Sequence, residues 1–281
     1  AHEIDNLIRG FNGEFIPPGA SGALTRGKVE ILPTGRNFYS VDPWKIPTPA
    51  AWRVGVNLAH KFFHKYIHEH GDYPETIGFV LRFFDIFRAD GELLSQILYT
   101  LGVRPIWDGA RVRKLEVIPL EELNRPRIDC VIQLSNILRD GMPNAFELID
   151  EAVQMVAVLD EPENKNFVRK HTQERLKKLV SQMSQDEANR LATFRIFTAA
   201  PGVYDYGVNT AVAASAWEED RDLADIFIDT CSFAYGKGIF GARAEEEFKF
   251  SLKNVGAVIR NHYTDEWDIL DDDCPYAFQG G

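Results

Sequence analysis

Asp85 and Glu92 stand seven residues apart across what reads as a strand-to-helix loop, a spacing that lets both carboxylates converge on one site. Converging carboxylates can deliver a metal or take protons. Each acid reads equally well as a helix cap or a solvated surface group. More acids crowd the end of the chain, where His262 is followed by Glu266, Asp268, Asp271 and Asp273. Arg36, Arg88 and Arg139 lie on loop segments, and a guanidinium is the planar fork that meets a carboxylate. A structural ion pair is the competing reading for Arg88 and Arg139. His60, His64 and His68 recur every four residues, the spacing that clamps a metal on a helix. They fall about 200 to 280° round from Leu58, beside the apolar arc, and share that side with Lys61 and Lys65. That is a solvated face. Cys130, Cys231 and Cys274 are far apart and form no CxxC, so neither a disulfide framework nor a zinc-thiolate site is signalled.

The elements that must position these groups can be read in order. Residues 3–31 combine an amphipathic stretch, EIDNLIRGF, with the turn-rich PPGASGALTRG. Leu32 to Trp52, LPTGRNFYSVDPWKIPTPAAW, is too dense in Pro and Gly for a helix or an inner strand and reads as an ordered binding loop. Ala50 to Glu69 has an apolar face at helical spacing. TIGFVLRFF is an apolar run of strand length that delivers Asp85, Arg88 and Glu92 just before a helix from Leu93 to Leu101. VRPIW, LEVIPL and IDCVIQL are further strand candidates, with ELNRPR as a turn between the last two. Helical patterns cover Ala145 to Leu159, Asn166 to Met183, Asp186 to Phe194, Asp222 to Ala234 and Ala244 to Leu252, and VGAVIRNHY can return a strand to the sheet. The fold class expected is α/β: a mostly parallel sheet with flanking helices plus a helix-rich second lobe. The expected division is 1–49 as an ordered, loop-rich segment with the binding loop, 50–159 as an α/β domain, and 160–281 as a helix-rich lobe returning to the sheet.

Composition narrows the function classes. The chain has 281 residues, 45% hydrophobic and 26% charged, ordinary for a globular protein. A formal net charge of −11 argues against broad electrostatic binding to nucleic acid or an anionic membrane. No apolar run is long enough to span a bilayer, and the start carries no leader pattern, so the cytoplasm is the expected location. No GxxxxGK[ST] phosphate loop is present.

The string LPTGRNFYSVDPxxIPTPAAW resembles the signature of the cobaltochelatase large subunit, a relative of the magnesium chelatase large subunit. The likeness continues through EIDNLIRGFNGEFIPPGASGALTRG, LGVRPIWD, LEVIPLEELNRPRID, LRDGMPN, DEPENKNFVRKH, RIFTAAPGVYDYGV, FAYGKGIFG and DILDDDCPYAFQGG, in the family's order. FAYGKGIFG and the final FQGG are closer to the cobalt branch. The resemblance implies the tetrapyrrole-binding part of an ATP-dependent metal chelatase. Its metal would be divalent, with Co²⁺ favoured over Mg²⁺ or iron. ATP would be bound by AAA+ partner subunits, and the remainder of the large subunit would be a further partner. Metal insertion must strip water from the ion, remove two ring protons and hold the ring. The residues then implied are Asp85, Glu92 and His262 as catalytic groups, Asp85 and Glu92 as metal ligands, and Arg36, Asn37, Tyr39, Arg88 and Arg139 as substrate contacts.

Departures from the family pattern are concentrated. Where relatives tend to read WGTDTMRTGGE, this chain reads RFFDIFRADGE from Arg82 to Glu92, and Trp267 replaces an imidazole near the end. A Gly replaced by Phe83 removes close backbone approach and reshapes the pocket. A metal-removing relative and a non-catalytic tetrapyrrole carrier are the two alternatives this leaves open.

Overall fold

The computed structural model describes residues 2–19, 29–36 and 41–262. Its central ladder is built from the two most apolar strand candidates. In β1 (Thr76–Leu81) and β4 (Asp129–Leu134) every residue is buried, the pattern of parallel strands covered on both faces. They pair in parallel from Thr76 opposite Asp129 to Leu81 opposite Leu134. β5 (Ile196–Thr198) adds in parallel beyond β4, and β8 (Val255–Arg260) adds in parallel on the other side of β1. β6 (Phe233–Gly236) and β7 (Ile239–Arg243) extend the β5 side as antiparallel strands, giving the order β7-β6-β5-β4-β1-β8.

Alternation along the strands feeds two cores. Ile77, Phe79 and Leu81 with Cys130, Ile132 and Leu134 pack against α2 (Pro49–His70), α4 (Glu92–Leu101) and α7 (Pro143–Ala157). Val131 and Phe197 face α10 (Val208–Ala213), α11 (Asp220–Cys231) and α12 (Glu245–Lys253) through Phe227 and Phe248. α8 (Phe167–Leu179) and α9 (Gln185–Ala192) pack on each other beside α7. Cys130 and Cys231 are buried free thiols, and burial pushes the Cys231 thiol up to about 12. Cys274 lies outside the described residues.

Local chemistry departs from the expected elements in three places. TIGFVLRFF is a strand only to Leu81, and Phe83–Ala89 turns into α3. The Phe83 amide leaves the ladder to donate to Ser135 Oγ at 3.1 Å. VRPIW and LEVIPL do not join the main sheet. β2 (Val103–Asp108) and β3 (Arg111–Val117) form a separate antiparallel hairpin, as a connection of only two residues around Gly109 (φ 60°) requires. The first two residues of the ELNRPR turn complete one helical turn, α5 (Leu120–Leu123). In the 160–262 portion, β5 to β8 join the same sheet, α10 to α12 cover one face of it, and α8 and α9 pack beside α7.

Candidate functional site at the carboxyl edge of the parallel strands

β1, β4, β5 and β8 run in parallel, so their C-terminal ends share one edge of the sheet, where open α/β folds place ligands. β1 ends in α3 and α4, which meet through Asp90 (φ 52°) and Gly91 (φ 87°). A side chain at Gly91 would place its Cβ 2.8 Å from Ile46 Cγ2 and 3.1 Å from Pro47, so Gly there permits left-handed backbone and close approach together. Asp85 is buried beneath this corner and its carboxylate accepts from the amides of Leu93 (2.8 Å) and Leu94 (3.1 Å). It therefore caps the first turn of α4, where the helix dipole favours a negative charge. Glu92 is the first residue of α4 and is half-buried, so both acids lie at one corner with different duties.

The described part of the loop from Asp42 to Thr48 packs against this corner. Thr48 N donates to Asp90 O at 3.2 Å, Trp107 Nε1 donates to Pro47 O at 2.9 Å, and Asn144 Nδ2 donates to Pro43 O at 2.7 Å. Asp42 accepts from Trp44 N at 3.1 Å and pairs with Arg111 of the hairpin at 3.1 Å. Ile46 is sunk into the main core, and the Leu32–Pro33 and Ile46–Pro47 peptide bonds are cis. Arg36 is exposed and held from the N-terminal side. Its carbonyl accepts from Gly19 N at 2.7 Å, and the preceding Gly35 packs on Glu3 of α1 (His2–Phe11). Asn37 and Tyr39 lie outside the described residues, as do Glu266, Trp267, Asp268, Asp271 and Asp273.

The floor beside the corner comes from the ends of β4 and β5. Ser135 caps α6 (Asn136–Gly141) and accepts from Leu138 N at 3.3 Å as well as from Phe83. Asn136 Oδ1 accepts from Thr198 Oγ1 at 2.8 Å, and its backbone amide donates to Tyr206 at 3.1 Å. Asn136 Nδ2 is buried without a partner among the described residues. Arg139, expected at a substrate carboxylate, is fully buried. It forms a fork with Asp140, at 2.6 Å on each arm, and donates to the carbonyls of Ala199, Ala200 and Val203. As placed, its guanidinium ties α6 to the loop after β5. Tyr204 leans on this fork and donates to Asp140 at 2.5 Å, and the Arg139 fork beside Asp140 holds that carboxyl below its usual range.

The remaining expected residues lie on α3, just past β8 and on α2. Arg88 is exposed on α3 over the Phe84 ring, 5.0 Å from its centroid. His262 is exposed just past the end of β8, on the same sheet edge as Arg82. His60, His64 and His68 are all exposed on α2, and His60 meets Tyr99 at 3.1 Å. Among the described residues no three His, Cys, Asp or Glu side chains gather closely enough to hold a metal. No described helix is long and apolar enough to cross a membrane. Ser135, Asn136, Thr198 and Tyr206 lie in or beside quoted motifs but were assigned no duty from sequence. A polar residue directly after the apolar run IDCVIQL was the available signal for Ser135 and Asn136.

With this geometry in view, the whole chain can be matched to known proteins: residues 1–281 fit the family described as CobN/Magnesium Chelatase. The chain belongs to that family. It is similar to the aerobic cobaltochelatase subunit CobN of Pseudomonas aeruginosa, 40% identical over 282 residues that cover 99% of this chain and 23% of that protein. An uncharacterised protein of Methanocaldococcus jannaschii is 51% identical over 279 residues, covering 99% of this chain and 22% of that protein. Among solved structures, the catalytic subunit of cobaltochelatase from Mycobacterium tuberculosis superimposes with a TM-score of 0.89 at 38% identity, over 99% of this chain and 23% of that one. The chain thus spans under a quarter of the length of each. Membership in this family accounts for the order of motifs from LPTGRNFYSVDP to FAYGKGIFG.

Proposed function

We propose that this chain forms the macrocycle-binding and metal-inserting portion of an ATP-dependent chelatase large subunit. The reading is supported by one observation above others. The family's segments meet at the carboxyl edge of a parallel sheet, and the binding loop closes over the corner that carries Glu92. In this reading Glu92 delivers the metal or takes a ring proton, and Asp85 keeps the α4 amides in place while standing within a turn of it. His262, on the same sheet edge, is the second proton acceptor. Arg36, Asn37, Tyr39 and Arg88 hold the ring and its carboxylates, and Arg139 fixes the loop that borders them. The metal is a substrate, divalent, with cobalt favoured over magnesium or iron. ATP is bound and hydrolysed by AAA+ partner subunits, and the rest of the large subunit completes the pocket. The reaction is cytoplasmic.

The test is direct. The purified chain is titrated with free-base porphyrins, hydrogenobyrinic acid diamide and haem, followed by absorbance and fluorescence, with and without Co²⁺ or Mg²⁺. Micromolar binding of one free-base ring, weakened by Arg36→Ala, supports the reading and selects the branch. Preference for haem over every free-base ring points to metal removal, and ring binding indifferent to metal and to Glu92→Gln in the full-length subunit points to a carrier.

A further inference from the structure

We infer that Tyr204 is a fixed stacking face for a conjugated macrocycle, placed at the crevice between the carboxyl ends of β4 and β5; this rests on the macrocycle reading above. The chain leaves β4 through α6 and α7 on one face of the sheet and leaves β5 through α10 and α11 on the other. Neighbouring parallel strands whose connections part in this way open a crevice at their carboxyl ends, which is where open α/β sheets take ligands. The loop after β5 borders that crevice. Pro201 and Gly202 (φ 77°) form the middle of a turn closed by Val203 N donating to Ala200 O at 3.0 Å, and Tyr204 follows directly. An exposed side chain ordinarily changes rotamer freely, and Tyr204 is 61% exposed. It is nonetheless anchored twice. Its hydroxyl donates to Asp140 Oδ2 at 2.5 Å, and the buried Arg139 guanidinium carbon lies 5.5 Å from its ring centroid. The bond to Asp140 holds the phenol above its usual pKa range, so it stays a donor and the anchor persists at neutral pH. A ring pinned in this way has little freedom left to lose when a flat apolar ligand stacks on it. α6, which carries Asp140, is capped by Ser135, and Ser135 Oγ also accepts from Phe83 N at the head of α3. The stacking face and the corner that carries Glu92 are thus joined through one side chain.

The experiment titrates the 281-residue chain with free-base deuteroporphyrin and with hydrogenobyrinic acid diamide, following the main absorption band of each. Wild type is compared with Tyr204→Phe, Tyr204→Trp and Tyr204→Leu, each checked for folding by circular dichroism. Expected is a loss of about tenfold in affinity for Tyr204→Leu, which removes the aromatic face. Tyr204→Phe keeps the face and loses its anchor, so it should lose about threefold, and Tyr204→Trp should stay within about threefold of the wild type. The shift of the band on binding should persist in the Phe and Trp variants and shrink in the Leu variant, a signature that a purely structural role would not produce. Wild-type affinity and an unaltered band shift in Tyr204→Leu, or equal losses in the Phe and Leu variants, overturn the inference and leave the macrocycle reading standing. Absence of binding of both rings by the wild-type chain overturns the two together.

Discussion

Asp85 accepts from two consecutive amides of α4 while fully buried, so removing its carboxylate strands two donors that water cannot reach. Asp85→Ala should therefore cost about 3 kcal/mol of stability in urea unfolding, and Asp85→Asn, which keeps one acceptor, clearly less. If Glu92 has the role proposed above, Glu92→Gln should cost little stability beside Asp85→Ala while removing metal insertion by the assembled chelatase. At the opposite edge of the sheet, His171 lies buried between Asp129 (2.8 Å) and Glu75 (3.1 Å), with Arg195 bonded to the same Asp129. Burial alone pushes the imidazole's pKa down. The hydrogen bond and charge of Asp129, joined by Glu75, outweigh it and leave the value above the ordinary one of about 6.5. A raised folded-state pKa means that this stabilisation is complete below the unfolded value and is lost as pH rises through the folded one. Asp129 and Glu75 are shifted downward, so their share is lost only in acid. Urea midpoints should decline from mildly acidic towards alkaline pH, and His171→Gln should flatten that slope.

The contact between α2 and α4 sets where Glu92 sits. A Cβ on Gly55 would fall 2.5 Å from Ser95 Cβ, 2.6 Å from Glu92 O and 2.7 Å from Gln96 N, two of them backbone atoms that cannot swing aside. Gly55→Ala should cost about 2 kcal/mol and weaken ring binding as well, because the displaced element carries Glu92. Periodicity made these two helices legible: Pro49–His70 and Glu92–Leu101 each exceed the expected span by a residue or so at an end. β1, β4 and β8 were equally plain, being continuous apolar runs. β5, β6 and β7 were not, because three to five residues cannot display a period. The hairpin was misplaced because alternation says that a segment is extended without saying what it pairs with. At the site, the corner carrying Asp85 and Glu92 was legible from strand, loop and helix order. The duty of Asp85 as a cap, and the burial of Arg139, depend on residues distant in sequence such as Leu93 and Ala199, and no local pattern records them.

At the scale of the molecule, one sheet serves both the 50–159 and the 160–262 portions, with β5 on β4 and β8 on β1. Urea unfolding followed by far-ultraviolet circular dichroism and by tryptophan emission should give coincident transitions, and Trp217→Phe, which removes a reporter of the second portion and leaves Trp52 and Trp107 in the first, should not move the emission midpoint away from the dichroism one. Two separated midpoints would mean that the portions fold independently despite the shared ladder.

The placement of β8 carries a consequence in time. β1 is central, yet its neighbour on one side is the last strand in the order, with Thr76 opposite Val255. While a ribosome makes the chain, β1 and β4 can join early, but one flank of β1 stays bare until nearly all of the described chain has emerged. An apolar strand with an open edge is a template for other chains. The vulnerable period for this protein is therefore its own synthesis, and slow translation of the segment between β4 and β8 would lengthen the interval in which nascent chains can pair with each other.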